Sequence, residues 1–200
     1  MAVGTTPRVE TAVSGRERLL EAAYELFSRH GVRGVGIDEV IARAGVAKAT
    51  LYRHFRSKDD LVVAFLELRE ERWSYGWVEA EARRRGDTPE EHLLAIFDAF
   101  DEWFRGKDYE GCSFVNVLFE MGAGHPGGEA SIHHLDHIRA IVRGLAEDAD
   151  LREPEEFARS WHILMKGAIV MAAAGDREAA RRAQEMARLL IAEYRRGSAG

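Results

Sequence analysis

Between Arg43 and Lys58 the chain carries five lysines or arginines and no carboxylate. Within that run Lys48, Ala49, Thr50, Tyr52, Arg53 and His54 combine cations, a hydroxyl, an imidazole and small side chains. Arginine can pair with two acceptors on a guanine edge, and small residues let a helix sit close to a major groove. The chemistry on offer is DNA recognition, with Lys58 as a further phosphate contact. A second group is apolar. Trp73, Trp77, Phe97, Phe100, Trp103, Phe104, Phe114 and Phe119 accompany Cys112, Asn116, Glu120 and Met121. Many aromatics with a few polar groups suit a small-molecule cavity, in which Trp73, Trp77, Phe100, Trp103, Phe104, Cys112, Asn116 and Glu120 are the expected ligand contacts. A third group is His133, His134 and His137. His133 and His137 are four apart and share a helical face, as two metal ligands would. No cysteine is near and Asp136 is on another face, so a solvated, histidine-rich helix is the competing reading, and no metal or cofactor is assigned. Cys112 could act as a nucleophile. No sequence feature supplies it with an oriented base or an oxyanion site, and an enzyme is not expected.

The basic run must be held by something. Ile37, Val40 and Ile41 give one apolar face to a short helix, Ala44-Gly45-Val46 makes a turn, and a second helix runs from about 47 to 55. Gly45 can take the positive φ that ends the first helix. Leu51 and Phe55 share the buried face of the second, and Ala49, Thr50, Arg53 and His54 lie opposite. Ahead of the pair, Ser14-Gly15-Arg16-Glu17 forms a capping box for a helix ending at Gly31, with Leu19, Ala23, Leu26 and Phe27 as its buried stripe.

The run from Gly45-Val46 through Thr50-Leu51-Tyr52 and His54-Phe55 to Ser57-Lys58 resembles the DNA-binding domain of the TetR family of bacterial one-component regulators. It fills each fixed place of that family's GVxxxTLYxHFxSK core, and the resemblance covers about residues 14–65. It implies a homodimeric regulator with an N-terminal helix-turn-helix domain and a C-terminal effector domain. It also implies a Thr or Ser cap where Gly36 stands, and a basic residue near Asp38.

Residues 1–60 hold ten Lys/Arg against eight Asp/Glu, while the whole chain has 28 against 34. The excess of acid therefore lies after residue 60, so only the N-terminal end should approach phosphates. A single cysteine permits no internal disulfide. The most apolar run, Ile163 to Ala174, is broken by Lys166 and Gly167 and is too short to span a bilayer. A soluble cytoplasmic protein with no membrane partner is expected.

The fold expected is all-α, with about nine helices. Residues 1–13 form a flexible arm whose Arg8 could reach a minor groove, 14–60 the DNA-binding domain, and 61–200 a ligand-binding and dimerisation domain. A long helix opens at Ser57 and continues to about 84. Thr88-Pro89-Glu90-Glu91 caps another to about 106. Shorter segments follow over 111–123, 129–148, 154–174 and 176–196, with a glycine-rich loop at 122–128. The last two helices should pair with their copies in a second chain, through Trp161, Met165, Ala168, Ala172, Met186 and Leu190. The function expected is a repressor held on a near-palindromic double-stranded operator and released by a small apolar or aromatic effector. A metal-responsive regulator using His133 and His137 is the alternative.

Overall fold

The computed structural model describes residues 13–107 and 109–195. The expected N-terminal arm, including Arg8, falls outside them except for Val13. The elements in chain order are α1 (Gly15–Gly34), α2 (Ile37–Ala44), α3 (Lys48–His54), α4 (Lys58–Arg69), a π-helical segment (Glu70–Glu79), α5 (Ala80–Arg85), α6 (Pro89–Arg105), α7 (Ser113–Met121), α8 (Pro126–Asp148), α9 (Pro154–Ala173) and α10 (Ala179–Tyr194). Because α4, the π segment and α5 run on without a break, the described residues form nine separate helices, as expected. Their one β contact is the isolated pair Leu151 and Arg195.

Local chemistry explains most of the boundaries. Ser14 Oγ accepts from Glu17 N–H at 3.2 Å, and Glu17 Oε2 accepts from Ser14 N–H at 2.7 Å. Thr88 and Glu91 repeat the box at α6. Gly31, at φ 73° and ψ 164°, breaks α1, and one further turn follows it. Gly45 sits at φ 61° and closes α2. Two differences from expectation have local causes. The long helix widens at Glu70 into π turns, and a Cβ on Gly76 would lie 2.8 Å from the Glu71 carbonyl, so glycine permits that approach. The glycine-rich loop is shorter than expected, because Pro126 already occupies the first turn of α8. Gly128 packs there on Gly122, where a Cβ would be 1.9 Å from a carbonyl oxygen.

α1 packs on α2, α3, α4 and α7. Its Leu19, Ala23 and Phe27 meet Leu51, Phe55 and Phe65 in one core. α8 lies against α4, α6, α7 and α9, and α10 packs on α6 and α9. Phe97, Phe157 and Trp161 form the centre of this second region, with ring centroids 5.2 Å apart along both contacts to Trp161.

That packing corrects part of the expected dimer surface. Trp161 and Met165 are fully buried and Ala168 is 4% exposed, all inside the chain's own core. Ala172 and Leu190 are half-buried, and Met186 is exposed. The apolar residues that α9 and α10 turn outward are Ile163, Val170, Met171, Met186 and Leu189. The sequence over 155–174 is apolar on most sides, so composition alone selected the wrong stripe.

Candidate nucleic-acid interface and core cavity

α3 stands on α1 through Leu51 and Phe55, which are 0% and 4% exposed. Lys48, Ala49, Tyr52, Arg53 and His54 face solvent. Thr50 is half-buried, with its methyl against Gly15, where a Cβ would come within 2.8 Å. It is therefore a packing residue as well as a surface one. The side chains of Arg53 and His54 have no ion pair or hydrogen-bond partner among the described residues. Lys48 does have one: its Nζ lies 3.0 Å from Asp38 Oδ1. The hydrogen bond with Asp38, and then its charge, raise the Lys48 pKa. The carboxylate that departs from the family pattern thus holds a cation of the recognition helix.

Lys58 is not placed as expected. Its Nζ donates at 2.6 Å to the carbonyls of Val32 and Val35, from a half-buried position. The ammonium closes the frayed end of α1, so it points at backbone oxygen instead of outward to phosphate. Beside it, Glu120 Oε2 accepts from the Arg33 N–H at 2.7 Å. The other oxygen of Glu120 fills the space beside Gly31, where a Cβ would lie 2.5 Å from it. Glu120 was expected in the ligand cavity; its carboxylate instead joins the end of α7 to the end of α1. Arg29 and Glu110, 3.4 Å apart, add a second link between the two regions.

The aromatics pack largely on one another. Trp73 stacks at 5.3–6.0 Å on Trp77, Phe100 and Trp103, and Phe104 and Tyr109 close the group around Trp103. Phe100 is fully buried and Trp73 is 8% exposed. Burial, with the Cys112 thiol adding to it, pushes the Tyr109 phenol up to about 12. Phe119 is 82% exposed, outside any core. A cavity of about 140 Å³ lies at the edge of the cluster, between the start of α7 and α9. Cys112, Val115, Asn116, Lys166, Ile169 and Val170 contribute to its wall. Of the expected contacts, Cys112 and Asn116 line it. Trp73 is one layer behind, under the Lys166 ammonium at 6.0 Å. Lys166 Nζ is also 3.6 Å from Cys112 Sγ. The cavity opens beside a groove of about 710 Å³, with Val115, Lys166 and Val170 shared between them.

Comparison with known proteins agrees with this geometry. The family profile described as bacterial regulatory proteins, tetR family, matches residues 19–65. The transcriptional activator FasR of Mycolicibacterium smegmatis is 48% identical over 52 residues, 26% of this chain and 24% of FasR. The chain thus spans about a quarter of that curated relative's length. Solved structures match over most of the chain. A TetR-family transcriptional regulator of Streptomyces coelicolor, SCO4454, superposes with a TM-score of 0.81 at 27% identity over 90% of this chain and 95% of that one. A putative TetR transcriptional regulator of Streptomyces avermitilis, sav143, is 31% identical over 90% of this chain and 98% of its own, with a TM-score of 0.78. The chain belongs to the TetR family.

It is accordingly a DNA-binding transcriptional regulator. As in the TetR-family core, its helix-turn-helix was legible in sequence. Two residues were missed. Lys166 had a signal, as the one charge inside an apolar run, but not a direction. Glu70, which meets His134 and His137, had none. Among the described residues no helix is long and apolar enough to cross a membrane.

Proposed function

We propose that this TetR-family protein is a homodimeric repressor, working in the bacterial cytoplasm on a near-palindromic operator and released by a small apolar or aromatic molecule. Residues 14–60 form the DNA-binding domain and the remainder the effector and dimer domain. Lys48, Ala49, Tyr52, Arg53 and His54 are presented to the major groove, with two half-sites a helical turn or a multiple apart. The dimer forms through the outward stripe of α9 and α10, with Ile163, Val170, Met186 and Leu189 in place of the buried Trp161 and Met165.

One observation carries the regulatory part. Cys112, which precedes α7, lines the cavity with Val115 and Asn116 of the first turn, and α7 carries Glu120 to the α1 end at its finish. A nine-residue helix moves as a rigid piece, so a ligand that shifts its first turn shifts Glu120 too. The effector lies across the cavity and the adjoining groove, since 140 Å³ alone is small for a drug-sized ligand. Lys166 adds a cation there, so an effector with a hydrogen-bond-accepting or anionic end is accommodated.

The test uses DNA upstream of the gene. Footprinting should give two half-sites related by a dyad, and a panel of aromatic compounds screened by tryptophan fluorescence should yield ones that lower operator affinity. A compound that raises the melting temperature by mass action but leaves DNA binding unchanged would leave the cavity and remove the switch.

A further inference from the structure

Three ligand-type atoms converge where α4 passes into the π segment, against the middle of α8. Glu70 Oε1 lies 2.7 Å from His137 Nδ1 and 2.9 Å from His134 Nδ1. All three atoms are within 4.8 Å of one another. His134 is 4% exposed, and the Glu70 side chain 13%. The contact from His137 is an ordinary hydrogen bond. The contact from His134 is not: its Nδ1 is buried and has no aligned hydrogen-bond partner. A buried ring nitrogen aimed at a carboxylate without a directional bond is unfavourable unless something else satisfies it.

We propose that Glu70, His134 and His137 form a site for one divalent transition-metal ion of the zinc class. Two imidazole nitrogens and a carboxylate oxygen are a zinc donor set, with a fourth place for water. Calcium and magnesium prefer all-oxygen shells and are not expected here. An ion about 2.0–2.1 Å from each donor spaces tetrahedral ligands roughly 3.3 Å apart, so the present contacts must open by about half an ångström. Side-chain torsions can supply that. His134 and His137 are three apart on α8 and therefore neighbours on one face. The Phe114 ring, 5.2 Å from that of His134, fixes its plane. The sequence spacing had singled out His133 with His137, but the helix turns His134 inward and leaves His133 exposed, its ring 4.1 Å from that of His137. The partner that completes the set comes from another helix, 64 positions before His134 in the chain. π turns recur at functional sites, and Glu70 is the first residue of this one.

The site is separate from the Cys112 cavity, and its test involves no DNA or effector, so it can fail or succeed apart from the repressor reading. Untagged full-length protein is titrated with Co²⁺, followed by visible absorption, and then with Zn²⁺ in competition. One Co²⁺ per chain should bind with the intense bands of a four- or five-coordinate ion and be displaced by Zn²⁺. Glu70→Gln and His137→Asn should each weaken binding at least tenfold, whereas His133→Ala should change it less than threefold. Zn²⁺ should raise the melting temperature of the wild type and not of Glu70→Gln. His134→Ala is not relied on, because that residue is buried. Weak, octahedral Co²⁺ spectra would overturn the proposal. So would affinity lost in His133→Ala but kept in Glu70→Gln, which would indicate only a surface histidine pair.

Discussion

The carboxylate of Glu120 accepts a 2.7 Å hydrogen bond from the backbone N–H of Arg33, across 87 positions of sequence. It joins the helix that borders the cavity to the helix on which the recognition helix stands. It also occupies the space that a side chain at Gly31 would need.

That relationship can be measured as a coupling. Gly31 has φ 73°, which strains any other residue by about 1–3 kcal/mol. Gly31→Ala should therefore destabilise the protein by at least that much, since its Cβ also meets Glu120. Glu120→Ala alone should lose about 1 kcal/mol, the worth of a hydrogen bond in a partly solvated setting. In the Glu120→Ala background the cost of Gly31→Ala should fall by about 0.5 kcal/mol or more. Urea unfolding of the four proteins gives the cycle. Strict additivity would mean that the two sites do not meet.

On the DNA face, Arg53→Ala and His54→Ala should each reduce operator affinity by about 1–3 kcal/mol if they reach base edges. Asp38→Asn should act in the opposite direction, by freeing Lys48 and removing a negative charge near phosphates. Its affinity for operator and random DNA should rise together, with the salt slope steeper by about 1. Fluorescence anisotropy over a salt series reads both, and an unchanged slope would show that Lys48 meets no phosphate.

Lys58→Ala should be a stability variant first. Two carbonyls at the α1 end lose a charged donor, and about 1–3 kcal/mol of stability should go with it. Urea unfolding without DNA measures this. A variant as stable as wild type that binds all DNA more weakly would return Lys58 to the phosphate role expected from sequence.

The two alanine-to-arginine and valine-to-arginine changes on α9 separate core from interface. Val170 is 59% exposed, so Val170→Arg should give folded monomers in sedimentation and weaker operator binding. Ala168 is 4% exposed, so Ala168→Arg should instead unfold the chain by burying a charge with no partner. A dimeric Val170→Arg protein would move the interface off this stripe.

Acid should weaken the fold through His162. Burial first, then the cations of Lys166 and Arg139, depress its imidazole to about 3. In the unfolded chain a histidine titrates near about 6.5. Between those values the unfolded state binds the extra proton, so stability is full above about pH 6.5 and is lost on acidification toward 3. The slope is at most about 1.4 kcal/mol per pH unit and smaller where water reaches the ring. Urea midpoints at pH 5 and 6.5, at one protein concentration, should differ less in His162→Gln than in wild type. An equal difference would place the acid sensitivity elsewhere.

Helix boundaries and the DNA-binding hairpin could be read along the chain because the causes are local. Ser14 finds Glu17 three residues on, Gly45 ends a helix by its own φ, and Leu51 and Phe55 share a face at any helix's period. The Lys48–Asp38 pair was also within reach, since both residues belong to the hairpin. What the tertiary structure alone decided is the direction of each polar side chain on helices that meet others. Lys58 turns to Val32 and Val35, Glu120 to Arg33, Lys166 to Cys112, and Glu70 to two histidines of α8. Periodicity gives the face of a helix, but not which of its neighbours that face meets. A helix apolar on several sides, such as α9, does not reveal which stripe is core: Trp161 and Met165 were buried, and Ile163 and Val170 were left outside. Those choices depend on packing angles between elements far apart in sequence, which no local pattern encodes.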